Sequence, residues 1–83
     1  MMKLKDWNES ISYGNGICNE LKDEGYNVKL KSYTMYDGRK GLYIQVFDQY
    51  GNLFKEYASG IVDNIDEMKK NLRINANRIR KEV

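Results

Sequence analysis

YNVKLKSYTMYDGRKGLYIQVFDQYGNLFKEYA, residues 26–58, decides the fold. Apolar and polar side chains alternate through YNVKLK and again through LYIQVF, the period of half-buried strands. Val28 and Leu30 fall on one face, Asn27, Lys29 and Lys31 on the other. In the second strand Leu42, Ile44 and Val46 share the core side, with Tyr43, Gln45 and Phe47 opposite. Asp37-Gly38 turns the chain between them, and Gly41 permits a bulge on the return. DQYGN forms a second hairpin, with Gly51 or Asn52 able to take positive φ. The third strand, LFKEYA, has no clean alternation. Either Phe54, Glu56 and Ala58 face inward or Leu53, Lys55 and Tyr57 do; the reading adopted puts Phe54 and Ala58 inside.

A helical pattern flanks the strands on each side. Upstream, Trp7, Ile11, Gly14, Ile17, Cys18 and Leu21 recur at helical spacing. Asp6 with Glu9 three residues on has the form of a capping box. Gly14 lies on the apolar stripe, where it lets the helix approach the sheet; Gly16 lies off it and marks a place for a kink. Gly25 is the expected left-handed end. Downstream, Ile65, Met68, Leu72, Ala76, Ile79 and Val83 form a second stripe, capped by Asp63 or Asn64. Acidic residues open this helix and basic ones follow, an order that suits the helix dipole. The expected fold is α+β: a helix, a three-stranded antiparallel sheet and a helix (αβββα), both helices on one sheet face. Residues 1–83 are expected to form a single small domain with a modest core.

That arrangement leaves one sheet face to solvent. Lys29, Lys31, Tyr33, Met35, Tyr43, Gln45 and Phe47 belong on it, joined by Lys55 and Tyr57 in the adopted phase. Such a concentration of aromatic side chains suggests a binding surface or a homodimer interface.

Enzyme chemistry finds little support, and the expectation is a protein that is not an enzyme. No histidine is present to serve as a base near neutral pH. Cys18 sits on an apolar stripe and reads as core. The Gly14–Gly16 stretch lacks the strand–turn–helix setting of a phosphate loop. Asp63, Asp66 and Glu67 stand where helix dipoles favour acids, so neither a metal nor a cofactor is expected. One cysteine excludes an internal disulfide and fits a reducing, cytoplasmic setting. MMKLKDWNES has no long apolar run, so neither a signal peptide nor a membrane span is expected.

With 14 basic and 12 acidic residues the net charge is +2, too balanced to imply nucleic acid by itself. Two local features keep nucleic acid open. Sheet-face tyrosines and lysines suit base stacking and phosphate contact. Arg73, Arg78, Arg80 and Lys81 of the second helix suit a nucleic-acid backbone. The element order is also that of double-stranded RNA-binding domains, whose second helix opens with lysines; here Asp63, Asp66 and Glu67 stand instead.

ELKDEGYNVKL, then LYIQVFDQYGN, then a capped helix resembles the small prophage-encoded anti-CRISPR proteins that inhibit Cas9, over about residues 17–72. The resemblance rests on the helix end running into Gly25–Leu30 and on the hairpin after Ile44, Gln45 and Val46 with Gly51-Asn52. It implies a non-enzymatic phage or mobile-element inhibitor in a bacterial host. Its partner would be a CRISPR effector or that effector's guide-RNA complex. Carried onto this chain, the contact residues are Tyr36, Asp37, Gly38, Arg39 and Lys40 in one loop and Asp48, Gln49 and Tyr50 in the other. They join Lys29, Lys31, Tyr33, Tyr43 and Phe47 of the open face. The DNA mimics of that family are acidic and this chain is slightly basic, which points to a surface other than the PAM-reading one.

Overall fold

The computed structural model describes residues 2–83. Among them the order is α1 (Leu4–Asp23), β1 (Asn27–Thr34), β2 (Lys40–Phe47), β3 (Leu53–Ala58) and α2 (Ile65–Glu82). The fold is αβββα, with an antiparallel sheet of order β1-β2-β3. Val28, Leu42, Ile44, Val46 and Tyr57 of the sheet form one buried cluster with Ile17, Cys18 and Leu21 of α1 and with Met68, Leu72, Ala76 and Ile79 of α2. Both helices therefore lie on one face of the sheet, α1 over β1 and α2 against β3. Ion pairs link Glu9 to Lys69, Glu20 to Arg73 and Glu24 to Arg80, so residue numbers rise together and the helices run in the same direction.

The first helix starts earlier than its capping box suggests. Lys3 holds the cap position in an extended conformation and no side chain caps it. Asp6 instead lies in the first turn, where a negative charge suits the dipole. Its carbonyl accepts a 2.8 Å hydrogen bond from the buried hydroxyl of Ser10. Met2 and Trp7 pack against the core, so burial rather than a cap anchors this end. The helix continues unbroken through Gly16. It ends as expected at Gly25, φ +101°. Tyr26 N–H donates to the Leu21 carbonyl at 2.9 Å and Gly25 N–H to that of Lys22 at 3.0 Å, the paired bonds of a Schellman motif. Gly14 is buried, and a Cβ there would stand 2.9 Å from Cδ2 of Leu30. The close approach expected at that glycine is present.

The helix α2 is capped by Asn64, whose side chain accepts a 2.8 Å hydrogen bond from Glu67 N–H. Its apolar stripe is buried from Met68 to Ile79, while Val83 is exposed. Asn75 joins the stripe and donates to the Ala58 carbonyl at 3.0 Å. One turn earlier Asn71 donates to the Ser59 carbonyl at 3.0 Å. These side-chain amides fasten the end of β3 to α2.

Two expectations about the sheet need correction. Gly41 does not carry a bulge, because its pairing with Tyr33 and that of Leu42 with Ser32 are regular. The register shifts instead at Val46/Phe47, where Lys55 pairs with Val46 and Leu53 with Phe47. Phe54 is the extra residue, and the shift sets the phase of β3. Tyr57, not Phe54 or Ala58, faces the helices. Tyr57 is 2% exposed, Phe54 60%. The Tyr57 hydroxyl reaches Oε1 of Glu82 at 3.0 Å, so the ring can be buried with its polar end satisfied.

Candidate functional site: the open face of the sheet

Cross-strand pairing places the outward residues in rows. Tyr33 pairs with Gly41 at one end. Lys31, Tyr43 and Ala58 form the next row, and Lys29, Gln45 and Glu56 the one after. Asn27, Phe47 and Leu53 follow, with Phe54 the exposed bulge residue next to them. A Cβ at Gly41 would run into the Tyr33 ring, so this glycine lets the tyrosine lie flat on the strand. Tyr33 then meets Tyr43 with ring centroids 5.8 Å apart, tilted by 38°. Lys29 Nζ lies 5.4 Å from the centre of the Phe47 ring, within cation–π range. Gln45 donates to Oε2 of Glu56 at 3.0 Å. The result is a surface of aromatic rings with two lysines along β1 and one carboxylate on β3.

Lys29, Lys31, Tyr33, Tyr43 and Phe47 are thus brought together as the alternation indicates. Lys55 and Tyr57, expected beside them, are on the helix side. Lys55 Nζ is 2.9 Å from Oε1 of Glu82, and the Tyr57 ring is in the core. Phe54 and Glu56 replace them on the open face. Lys40 is also on the helix side, its Nζ 5.6 Å from the Trp7 ring centre. It borders a cleft of about 260 Å³ walled by Met2, Leu4, Trp7, Ile61 and Val62.

The loop residues divide between opposite ends of the sheet. At the β1–β2 tip Tyr36 is fully exposed. Asp37 holds this turn by accepting from Arg39 N–H at 3.1 Å and Arg39 Nε at 2.8 Å. The backbone N–H of Arg39, then its side chain, keeps the Asp37 carboxyl below its ordinary pKa. At the other tip Asp48 Oδ1 accepts from Tyr50 N–H and Asn52 N–H, each at 2.9 Å, while the Tyr50 side chain points into solvent. Asp37 and Asp48 therefore shape turns. Tyr36 and Tyr50 are the exposed aromatic side chains there.

The arginines Arg73, Arg78 and Arg80 of α2 have partners inside the chain. Arg80 grips Glu24 with Nε and Nη2, both bonds 2.7 Å. That contact lowers the Glu24 pKa and raises that of Arg80. Arg73 reaches Glu20 at 3.2 Å and lies 5.7 Å from the centre of the Tyr13 ring. Arg78 pairs with Glu82 at 3.3 Å and stacks over Tyr57. Lys81 is exposed. Lys55 first, then Tyr57, pull the Glu82 pKa down to about 2. Burial raises the pKa of Cys18, which keeps it a neutral thiol within the core.

Among the described residues, no group of three or more acidic or cysteine side chains gathers in a form that holds a metal ion. No described helix is long and apolar enough to cross a membrane. Compared with family models, curated proteins and solved structures, the chain finds no match in any of the three.

Proposed function

We propose that this chain is a non-enzymatic binding protein that engages a protein partner with its open sheet face and the adjoining β1–β2 tip. The observation that carries this reading is the side-chain set opposite the helices. Tyr33, Tyr43, Phe47 and Phe54 lie there with Lys29 and Lys31 at their margin. Rigid aromatic groups backed by a sheet bind with little loss of side-chain freedom and dominate interface energetics. Glu56 on the same face favours a protein over a nucleic-acid backbone, which would meet its charge unfavourably. The pairing of Arg73, Arg78 and Arg80 with carboxylates gives α2 little to offer a phosphate chain.

The resemblance to anti-CRISPR proteins makes a CRISPR effector nuclease, in the cytoplasm of a bacterial host, the first partner to try. The test is capture of purified effectors on immobilised protein, with and without guide RNA. Binding that is lost in Tyr43→Ala/Phe47→Ala and retained in Tyr50→Ala supports the reading. Failure to capture any effector removes the nuclease assignment. Retention of DNA or RNA at low salt, weakened by neutralising Arg73, Arg78 and Arg80, would favour a nucleic-acid role instead.

A further inference from the structure

We propose that the open sheet face also pairs with a second copy of this chain, around a two-fold axis lying along β2. The charges of this face sit on its two edge strands. Lys29 and Lys31 are on β1, Glu56 is on β3, and Lys29, Gln45 and Glu56 share one cross-strand row. Two sheets meeting face to face can be related by a two-fold axis along the strands or across them. An axis across the strands lays β1 on β1 and stacks the lysines of both copies. An axis along β2 lays β1 of one copy on β3 of the other without changing height along the strand. Lys29 then faces Glu56 of the second copy, and Glu56 faces its Lys29. Gln45, Tyr43 and Phe47 each lie at the axis, against their own counterparts. Packed sheets stand about 10 Å apart, a gap that an extended lysine and glutamate bridge together.

The size of the face sets the strength. Three strands at about 4.8 Å spacing and seven residues at about 3.3 Å rise give a footprint of roughly 14 by 23 Å. That is roughly 320 Å² a side, below the about 800 Å² per partner of a standard specific interface, so the dimer is weak, transient and concentration-dependent. It occupies the surface assigned above to the partner, so self-pairing and partner binding exclude one another. The inference rests on that face being open, not on the identity of the partner.

Charge reversal tests it, because both positions are exposed and the variants should fold, which circular dichroism checks. Sedimentation velocity across a concentration series reads the dimer. Wild type is expected to show a monomer–dimer equilibrium. Lys29→Glu alone and Glu56→Lys alone set like charges opposite each other twice per dimer and should weaken it roughly tenfold or more. An equimolar mixture of the two variants restores both opposite-charge pairs and should dimerise, as should the double variant. Wild type that stays monomeric at millimolar concentration overturns the proposal. So does a dimer indifferent to both reversals, or a mixture that fails to pair. Effector capture is read separately: a dimer without capture removes the proposed partner and leaves this inference standing, and capture without a dimer does the reverse.

Discussion

Alanine at Gly14 and alanine at Gly16 should differ in effect by about 1–2 kcal/mol, though they lie two residues apart in the same helix. Replacing an interior helical glycine gains about 1 kcal/mol from backbone entropy alone. At Gly16 nothing lies within 4 Å of the new methyl, so the gain should be realised. At Gly14 the methyl would stand 2.9 Å from Cδ2 and 3.0 Å from Cδ1 of Leu30. Carbon atoms prefer about 3.5–4.0 Å, so Leu30 must withdraw by about 0.5–1 Å. Leu30 is half-buried and can give at its methyl ends, which sets the cost near the lower part of the ~1–3 kcal/mol seen for overpacking. Gly14→Ala should therefore be neutral to about 1 kcal/mol destabilising, and Gly16→Ala about 1 kcal/mol stabilising. For a domain of this size each kcal/mol moves Tm by roughly 4–8 °C. Thermal and urea unfolding of both variants measure the difference. A double-mutant cycle with Leu30→Ala isolates its cause: without the isobutyl group Gly14→Ala should recover its full helical gain. Equal stabilisation at both glycines, or no coupling to Leu30, would refute the close packing of α1 on β1.

Tyr57→Ala should cost about 3–5 kcal/mol, and Phe54→Ala should stay within about 0.5 kcal/mol of wild type; urea denaturation of the two variants tests the phase of β3. Asn75→Ala removes the donor to the Ala58 carbonyl and should cost about 0.5–1.5 kcal/mol by the same measurement. Glu82 titrates near 2 in the folded chain against an ordinary 4.5, so its contribution is complete above pH 4.5 and is lost as pH falls toward 2. Wild type should accordingly melt above Glu82→Gln at pH 7, with the two curves converging toward pH 2.

The inner faces of β1 and β2 were legible because their apolar residues alternate without a break, and Gly25 because a left-handed helix end favours glycine. The phase of β3 was not. A bulge adds one residue, and every side chain after it changes face. LFKEYA offers phenylalanine and tyrosine on opposite phases, and local pattern cannot rank them. What decides is Glu82 on α2, which gives a tyrosine hydroxyl a partner and a phenylalanine nothing. Lys40 shares parity with Leu42 and Ile44, which puts it on the helix side. The start of α1 was misplaced because a capping motif competes with burial, and Met2 and Trp7 carry more apolar surface than a cap is worth.

The charges of α2 show most clearly how the fold alters a residue's meaning. In sequence Arg73, Arg78 and Arg80 form a basic run suited to a phosphate backbone. In the structure α1 runs beside α2 in the same direction and presents Glu9, Glu20 and Glu24 to Lys69, Arg73 and Arg80. Each such pair is solvent-exposed and contributes little on its own, about 0–1 kcal/mol. Their combined effect is on register. Sliding α2 along α1 by a turn would separate these cations from their carboxylates. Lys69, Arg73, Arg78 and Arg80 are therefore already matched to carboxylates of the chain. The sheet's open face, where aromatic rings have no partner beyond each other and Lys29, is the surface whose chemistry remains unanswered within the chain. The proposal of a binding surface rests for that reason on the sheet rather than on the more highly charged helices.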